Sequence, residues 1–199
     1  MPSHSLNAPQ GLKIGLLGGS FNPAHEGHRH ISLMALRQLE LDQIWWLVSP
    51  QNPLKSETDM APLSVRLKNA RQLARHPRIH VTDIETGLGT RYTVDTVHAL
   101  QSRFRDTHFI WLMGADNMIQ LPRWEKWRTL METIPVAVYP RPGYTLKARL
   151  SPAAATYRAA WLDASDAKAL PTSTPPALCF LEGPQNSLSA TSMRSKKDT

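Results

Sequence analysis

Residues Lys13 to Gly18, KIGLLG, form a nearly unbroken apolar run. A strand with this composition is buried on both faces, the situation of strands in a parallel sheet covered by helices. Runs of strand character recur at Gln43 to Ser49, Arg78 to Asp83, His108 to Met113 and Ile134 to Tyr139. Between them lie segments of helical spacing, from about His25 to Leu39, from Leu63 to about Ala74 and from Thr93 to Phe104, with a short one beginning near Ala115. Repeated alternation of strand and helix predicts an α/β doubly wound parallel sheet. Ligands of such folds sit beyond the carboxyl ends of the strands, where the strand order switches. The loops after Gly18, Ser49, Asp83 and Met113 are therefore the places to look for chemistry. The loop from Pro50 to Pro62 is long, a property of functional loops.

Beyond residue 141 the pattern weakens. Arg141-Pro142-Gly143-Tyr144 reads as a turn, the alanine-rich stretch 151–170 as one helix, PTSTPP as a loop, and Ala177 to Leu181 as a sixth strand. No internal repeat and no clean boundary between two domains is visible.

A chain of 199 residues can bury a substantial core without disulfides or a structural metal. Hydrophobic residues make up 41% and charged residues 20%, the balance of a soluble globular protein. No apolar run is long enough to cross a bilayer, and MPSHSLNAPQ lacks the charged head and apolar stretch of a secretory signal. A cytoplasmic location is expected, with no membrane partner. Cys179 is the only cysteine. It lies between Leu178 and Phe180, which favours a buried, inert thiol. The net charge of +7 favours anionic partners without choosing among them.

The most informative segment is Gly18-Gly19-Ser20-Phe21-Asn22-Pro23-Ala24-His25-Glu26-Gly27-His28. Two glycines after a buried strand let the backbone turn sharply and approach a ligand. The unpaired N–H groups at the start of the following helix bind anions, phosphate especially. His25 and His28, three residues apart, share a face of its first turn. The segment is neither a G-x-G-x-x-G dinucleotide fingerprint nor a P-loop, since no G-K-[ST] occurs. HEGHRH departs from H-E-x-x-H because position 29 is arginine. A metal pair from the two histidines would need further ligands.

The segment contains every fixed position of G-G-x-F-x-P-x-H-x-G-H, and so resembles the nucleotidyltransferases with an H-x-G-H motif. That resemblance implies a Rossmann-like nucleotidyltransferase fold, akin to class I aminoacyl-tRNA synthetases, with the two histidines on the ATP phosphates. Ser189-Ala190-Thr191-Ser192-Met193-Arg194 is similar to a second segment of the family, I-S-x-T-x-x-R, which binds those phosphates. Arg194 is then a phosphate clamp, a role suited to its forked donors. Many members carry a long helix after this motif, whereas here Ser195 to Thr199 follow.

Within the family, Tyr92-Thr93-Val94-Asp95-Thr96 and Gly114-Ala115-Asp116-Asn117-Met118 resemble the Y-T-x-D-T and G-x-D-x-L segments of the nicotinate mononucleotide enzymes, with Met118 in place of leucine. The resemblance runs from residue 12 to about 143 and returns at 177–194. It implies adenylyl transfer from ATP to nicotinate mononucleotide in NAD biosynthesis, with pyrophosphate released. The implied units are a tail over residues 1–11, one nucleotidyltransferase domain over 12–195 and a tail over 196–199.

The expected catalytic residues are His25, His28 and Arg194. ATP is expected on Gly18, Gly19, Ser20, Phe21, His25, His28, Asp116, Ser189, Thr191 and Arg194. The mononucleotide is expected on Asn52, Lys55, Tyr92, Thr93 and Trp124. Each single residue has a plainer reading: Thr93 and Asp116 as helix caps, Trp124 as core, Lys55 as a solvated cation. No metal ligand from the protein is expected, since Mg²⁺ travels with the ATP phosphates and water. A nucleic-acid-binding reading draws on the charge and the six tryptophans, which suit grooves with stacking platforms. Trp45, Trp46 and Trp111 fall inside expected strands and are read as core.

Overall fold

The computed structural model describes residues 11–50 and 60–183. Seven strands form one sheet: β1 (Lys13–Gly19), β2 (Gln43–Val48), β3 (Ile79–Thr82), β4 (His108–Gly114), β5 (Val136–Tyr139), β6 (Trp161–Leu162) and β7 (Leu178–Phe180). Their order is β3-β2-β1-β4-β5-β7-β6, and every pairing is parallel. The expected doubly wound sheet is present. β1 has β2 on one side and β4 on the other, so the order switches at its carboxyl end.

Helices cover both faces. They are α1 (Glu26–Gln38), α2 (Leu63–Ala74), α3 (Ile84–Leu88), α4 (Thr93–Arg103), α5 (Ala115–Gln120), α6 (Trp127–Thr133), α7 (Thr145–Arg149) and α8 (Pro152–Thr156). Side chains alternate across each strand, so the sheet divides the core in two. Leu16, Trp45, Trp111 and Val138 join the face packed by α4, α5 and α6. Leu17, Trp46, Leu112 and Tyr139 join the face packed by α1 and α2. Trp45 and Trp46 are fully buried and Trp111 nearly so, as expected of core tryptophans. No helix among the described residues is long and apolar enough to cross a membrane.

Three expectations need correction. α3 and α6 were not anticipated; with five and seven residues, they carry too few turns for a periodic signal. The stretch 151–170 is not one helix. α8 stops at Thr156, and Trp161–Leu162 pairs with Leu178 and Cys179 as the outermost strand. A 3₁₀ segment then spans Ala164–Thr172. Helix propensity of alanine is a weak term, and strand pairing outweighs it here. The strand near residue 180 is thus the seventh in chain order.

Gly18 and Gly19 belong to β1, and neither has a positive φ. The expected glycine turn is therefore absent. Gly18 serves packing: a Cβ there would lie 2.5 Å from Cη2 of the Trp111 indole. At Gly19 the nearest atom would be a Phe21 ring carbon at 3.6 Å, an ordinary contact. Cys179 is fully buried, and burial pushes its thiol up to about 11, which keeps it protonated and inert.

Gly18→Ala is expected to destabilise the fold by about 1–3 kcal/mol through overpacking against a rigid indole. Gly19→Ala should cost much less. Urea unfolding of the two variants against wild type checks the contrast.

Candidate active site

The loop from Ser20 to His25 leaves the carboxyl end of β1 and enters α1. Phe21 makes the turn, with φ of 47°. A bulky residue in the left-handed region is held there only by surrounding structure. The hold is visible: Phe21 is 1% exposed and its ring stacks on Trp46, centroids 5.1 Å apart and planes inclined by 20°. Above it lies His28 at 4.6 Å, and above that His25 at 3.9 Å. The four rings form one cluster, with His28 also 6.0 Å from Trp46.

His25 is the N-cap of α1, in extended conformation. Its backbone N–H donates to Nδ1 of His28 at 3.2 Å. His28 thereby supplies the back half of a capping box, the task glutamate or glutamine usually performs. An Nδ1 that accepts carries no hydrogen, so the neutral His28 ring holds its hydrogen on Nε2. A second tie fixes the same turn: Ser32 Oγ donates to the His28 carbonyl at 2.9 Å, and Trp46 Nε1 donates to Ser32 Oγ at 2.7 Å.

His25 is 3% exposed. Burial lowers its pKa to about 4, and the nearby Arg141 guanidinium adds to the effect. The ring is neutral at pH 7, and its Nδ1 has no hydrogen-bond partner among the described residues. Buried polar atoms without partners are uncommon and mark places where a structure is prepared for something else.

Arg141 follows β5, and its Nη1 lies 3.2 Å from Asp116 Oδ2. Asp116 is at the second position of α5, whose N-cap is Gly114, so it is not the cap. Its Oδ1 is buried and has no partner among the described residues. The crowding is close: a Cβ on Gly114 would lie 2.5 Å from that oxygen. Asp116 and Arg141 thus stand at the ends of β4 and β5, beside the histidines at the end of β1.

The other expected residues sit around this mouth. Ser20 is buried and Phe21 is turned into the core, so its side chain is a floor and only its backbone faces the loop. Trp124 is half-buried and meets Trp111 edge-on at 6.2 Å, the ring that covers Gly18. Tyr92 is 36% exposed and is the N-cap of α4, with Thr93 the first residue inside. Thr93 is therefore not the cap. That region reaches β2 through Glu85, whose carboxyl is raised by burial and partly restored by hydrogen bonds from Ser49 and Thr96. Asn52, Lys55, Ser189, Thr191 and Arg194 lie outside the described residues.

Two residues were missed. Arg141 was noticed as the start of a turn and at the end of the stretch that resembles the family, but with no role; its charge matters because the fold sets it against Asp116, 25 residues away in sequence. Arg66 is 2% exposed and holds four backbone carbonyls around the same mouth. Its sequence context, between Val65 and Leu67 in a helix, offers no signal of that.

The cytidylyltransferase-like family model matches residues 16–196. A protein of Parvibaculum lavamentivorans named probable nicotinate-nucleotide adenylyltransferase is 64% identical over 94% of this chain and 92% of its own. A protein of the same name from Cereibacter sphaeroides is 53% identical over 92% of this chain and 97% of its own. Among solved structures, nicotinic acid mononucleotide adenylyltransferase of Plasmodium falciparum, complexed with NaAD, superposes with a TM-score of 0.67 at 16% identity. It covers 92% of this chain and 82% of that one, and at that identity the likeness is one of fold.

The depressed pKa of His25 links stability to pH. Above pH 6.5 neither the folded nor the unfolded chain protonates this ring, and the folded state keeps its full stability. As pH falls from 6.5 towards about 4, the unfolded chain binds a proton that the folded chain refuses, and stability is lost. Urea unfolding at pH 7.5 and at pH 5 should show a smaller acid-side loss for His25→Gln than for wild type. Equal losses would mean that His25 titrates normally in the folded protein.

Proposed function

The chain belongs to the cytidylyltransferase-like family, and within it to the nicotinate-nucleotide adenylyltransferases, and from that premise we propose that it is the enzyme transferring the adenylyl group of ATP to nicotinate mononucleotide. The products are nicotinate adenine dinucleotide, an NAD precursor, and pyrophosphate. The observation that carries this reading is the pair of imidazoles in contact at the N-terminus of α1, at the point where strand order switches.

A 5′-phosphate oxygen of the mononucleotide forms a bond to the α-phosphorus of ATP while the bond from that phosphorus to the bridging oxygen breaks. Pyrophosphate leaves with the electron pair. No protein nucleophile takes part, so catalysis consists of positioning and charge stabilisation. The Nε2–H of His28 and the free N–H groups of α1 are donors for the phosphates. His25 is neutral in the resting protein; a triphosphate beside it opposes the influence of Arg141 and favours the imidazolium. Asp116 accepts from ribose hydroxyls through the oxygen that Arg141 leaves open. Gly18, Gly19, Ser20 and Phe21 line the phosphates with backbone.

For the acceptor, Trp124 is the stacking partner of the pyridine ring, and the Thr93 hydroxyl donates to its carboxylate, with Tyr92 alongside. Asn52 and Lys55 are assigned to the mononucleotide, and Ser189, Thr191 and Arg194 to the ATP phosphates, by their match to the family segments. Mg²⁺ carried on the triphosphate would supply further neutralisation, with phosphate and water oxygens as its expected ligands.

Purified protein given ATP and Mg²⁺ is expected to consume nicotinate mononucleotide in preference to nicotinamide mononucleotide. Transfer to neither would end this reading. His28→Ala should lower kcat by about 10²- to 10³-fold, with the fold intact by circular dichroism.

A further inference from the structure

Arg66 spends its whole guanidinium on backbone. Nε donates to the carbonyl of Ala61 at 2.8 Å, Nη1 to those of Ser20 at 2.7 Å and Ser49 at 2.8 Å, and Nη2 to that of Pro50 at 3.0 Å. These carbonyls come from separate segments: the loop after β1, the end of β2, and the approach to α2. No carboxylate among the described residues lies within ion-pair distance of it. Burying a cation without a counter-ion is costly, and burial draws its pKa down, yet arginine keeps its charge. Tying loops together does not require such a group.

The contacts indicate what the cost secures. The Ser20 carbonyl is the last acceptor before Phe21, the residue with φ of 47° whose ring carries His28 and, through it, His25. The peptide between Ser20 and Phe21 sets where the Phe21 ring lies, and with it the His28 ring packed against it. A planar fork with fixed angles can anchor it to the end of β2; an ammonium, with three donors on a flexible stem, cannot meet all four acceptors. Gly19 and Ser49 are already joined there by a Ser49 N–H to Gly19 carbonyl bond of 2.9 Å, so the arginine locks the two loops at the next residue out.

We propose that Arg66 is a positioning residue for adenylyl transfer: it fixes the histidine-bearing loop against the end of β2 and so sets the orientation of the two imidazoles. This rests on the reading of the mouth as an adenylyl-transfer site. It touches neither substrate, and acts through Ser20 and Phe21.

The test is steady-state kinetics of Arg66→Lys and Arg66→Gln with ATP and nicotinate mononucleotide, together with ¹⁵N imidazole spectra of His28. Misplacing reacting groups by about 1 Å costs on the order of 10²-fold, so kcat should fall by about that factor in Arg66→Lys, with a smaller change in either KM. The His28 spectrum should change from hydrogen on Nε2 alone to a mixture of tautomers. A merely structural arginine would lower the melting temperature and leave kcat and the tautomer as in wild type, and that result overturns the proposal. So would loss of folding in both variants, which would make Arg66 a residue of stability. If wild type itself transfers nothing, the functional reading fails, and the His28 spectrum alone decides whether Arg66 orients the ring.

Discussion

Parallel pairing of β1 with β2 on one side and β4 on the other is the constraint from which the rest of the molecule follows. Parallel neighbours need crossover connections, and right-handed crossovers send the helices after β1 and after β4 to opposite faces of the sheet. At the carboxyl end of β1, where the strand order switches, folds of this kind leave a crevice. The apolar run of β1 and the crevice are one fact: a strand central enough to be buried on both faces is the one flanked on both sides. Phe21 then closes the core at the strand's end. Its ring completes the α1 face of the core while its backbone begins the site.

Polar groups gather at that crevice on unusual terms. His25 and Asp116 each have a buried polar atom with no partner among the described residues, and each stands beyond the carboxyl end of a strand. Unsatisfied buried atoms cost roughly 1–3 kcal/mol apiece. A fold that tolerates both in one place is stabilised elsewhere, here by two tryptophan-rich core layers. The same region holds the buried cation of Arg66, satisfied entirely by carbonyls. Desolvation disfavours His25 as a cation and disfavours Arg66 as well, but only the imidazole can answer by releasing its proton.

What could be read from sequence and what could not divide along physical lines. β1, β2 and β4 were legible because burial on both faces leaves a composition that survives without context. α1, α2 and α4 were legible because they have enough turns to display a stripe. The histidine pair was legible because three-residue spacing on a helix is geometry. The turn before it was misjudged: glycine suggested the bend, yet Gly18 is small because Trp111 lies against it, a contact between strands that no local pattern encodes. The alanine-rich stretch failed for a related reason, since Trp161 and Leu162 are claimed by β7. Arg66 was invisible because its partners are carbonyls, and every residue has one. The role of Arg141 was invisible because its partner Asp116 is brought to it by the order of β4 and β5.

The charges at the mouth form a circuit whose resting state is set by the protein alone. Arg141 is held by Asp116 and lies near enough to His25 to disfavour its protonation. A permanent cation favours phosphate at every stage of the reaction. A site with a neutral imidazole responds to its occupant instead. Negative charge beside His25 offsets both burial and the guanidinium, so the ring gains a proton in proportion to the charge it faces. As the bond to the bridging oxygen breaks, negative charge shifts onto the departing pyrophosphate, and an imidazolium beside it would be favoured most at that moment. Interactions that strengthen along the reaction are the ones that accelerate it. Under the proposed adenylyl transfer, a His25 that rests neutral through burial and the nearby Arg141 would keep its binding energy out of the ground state.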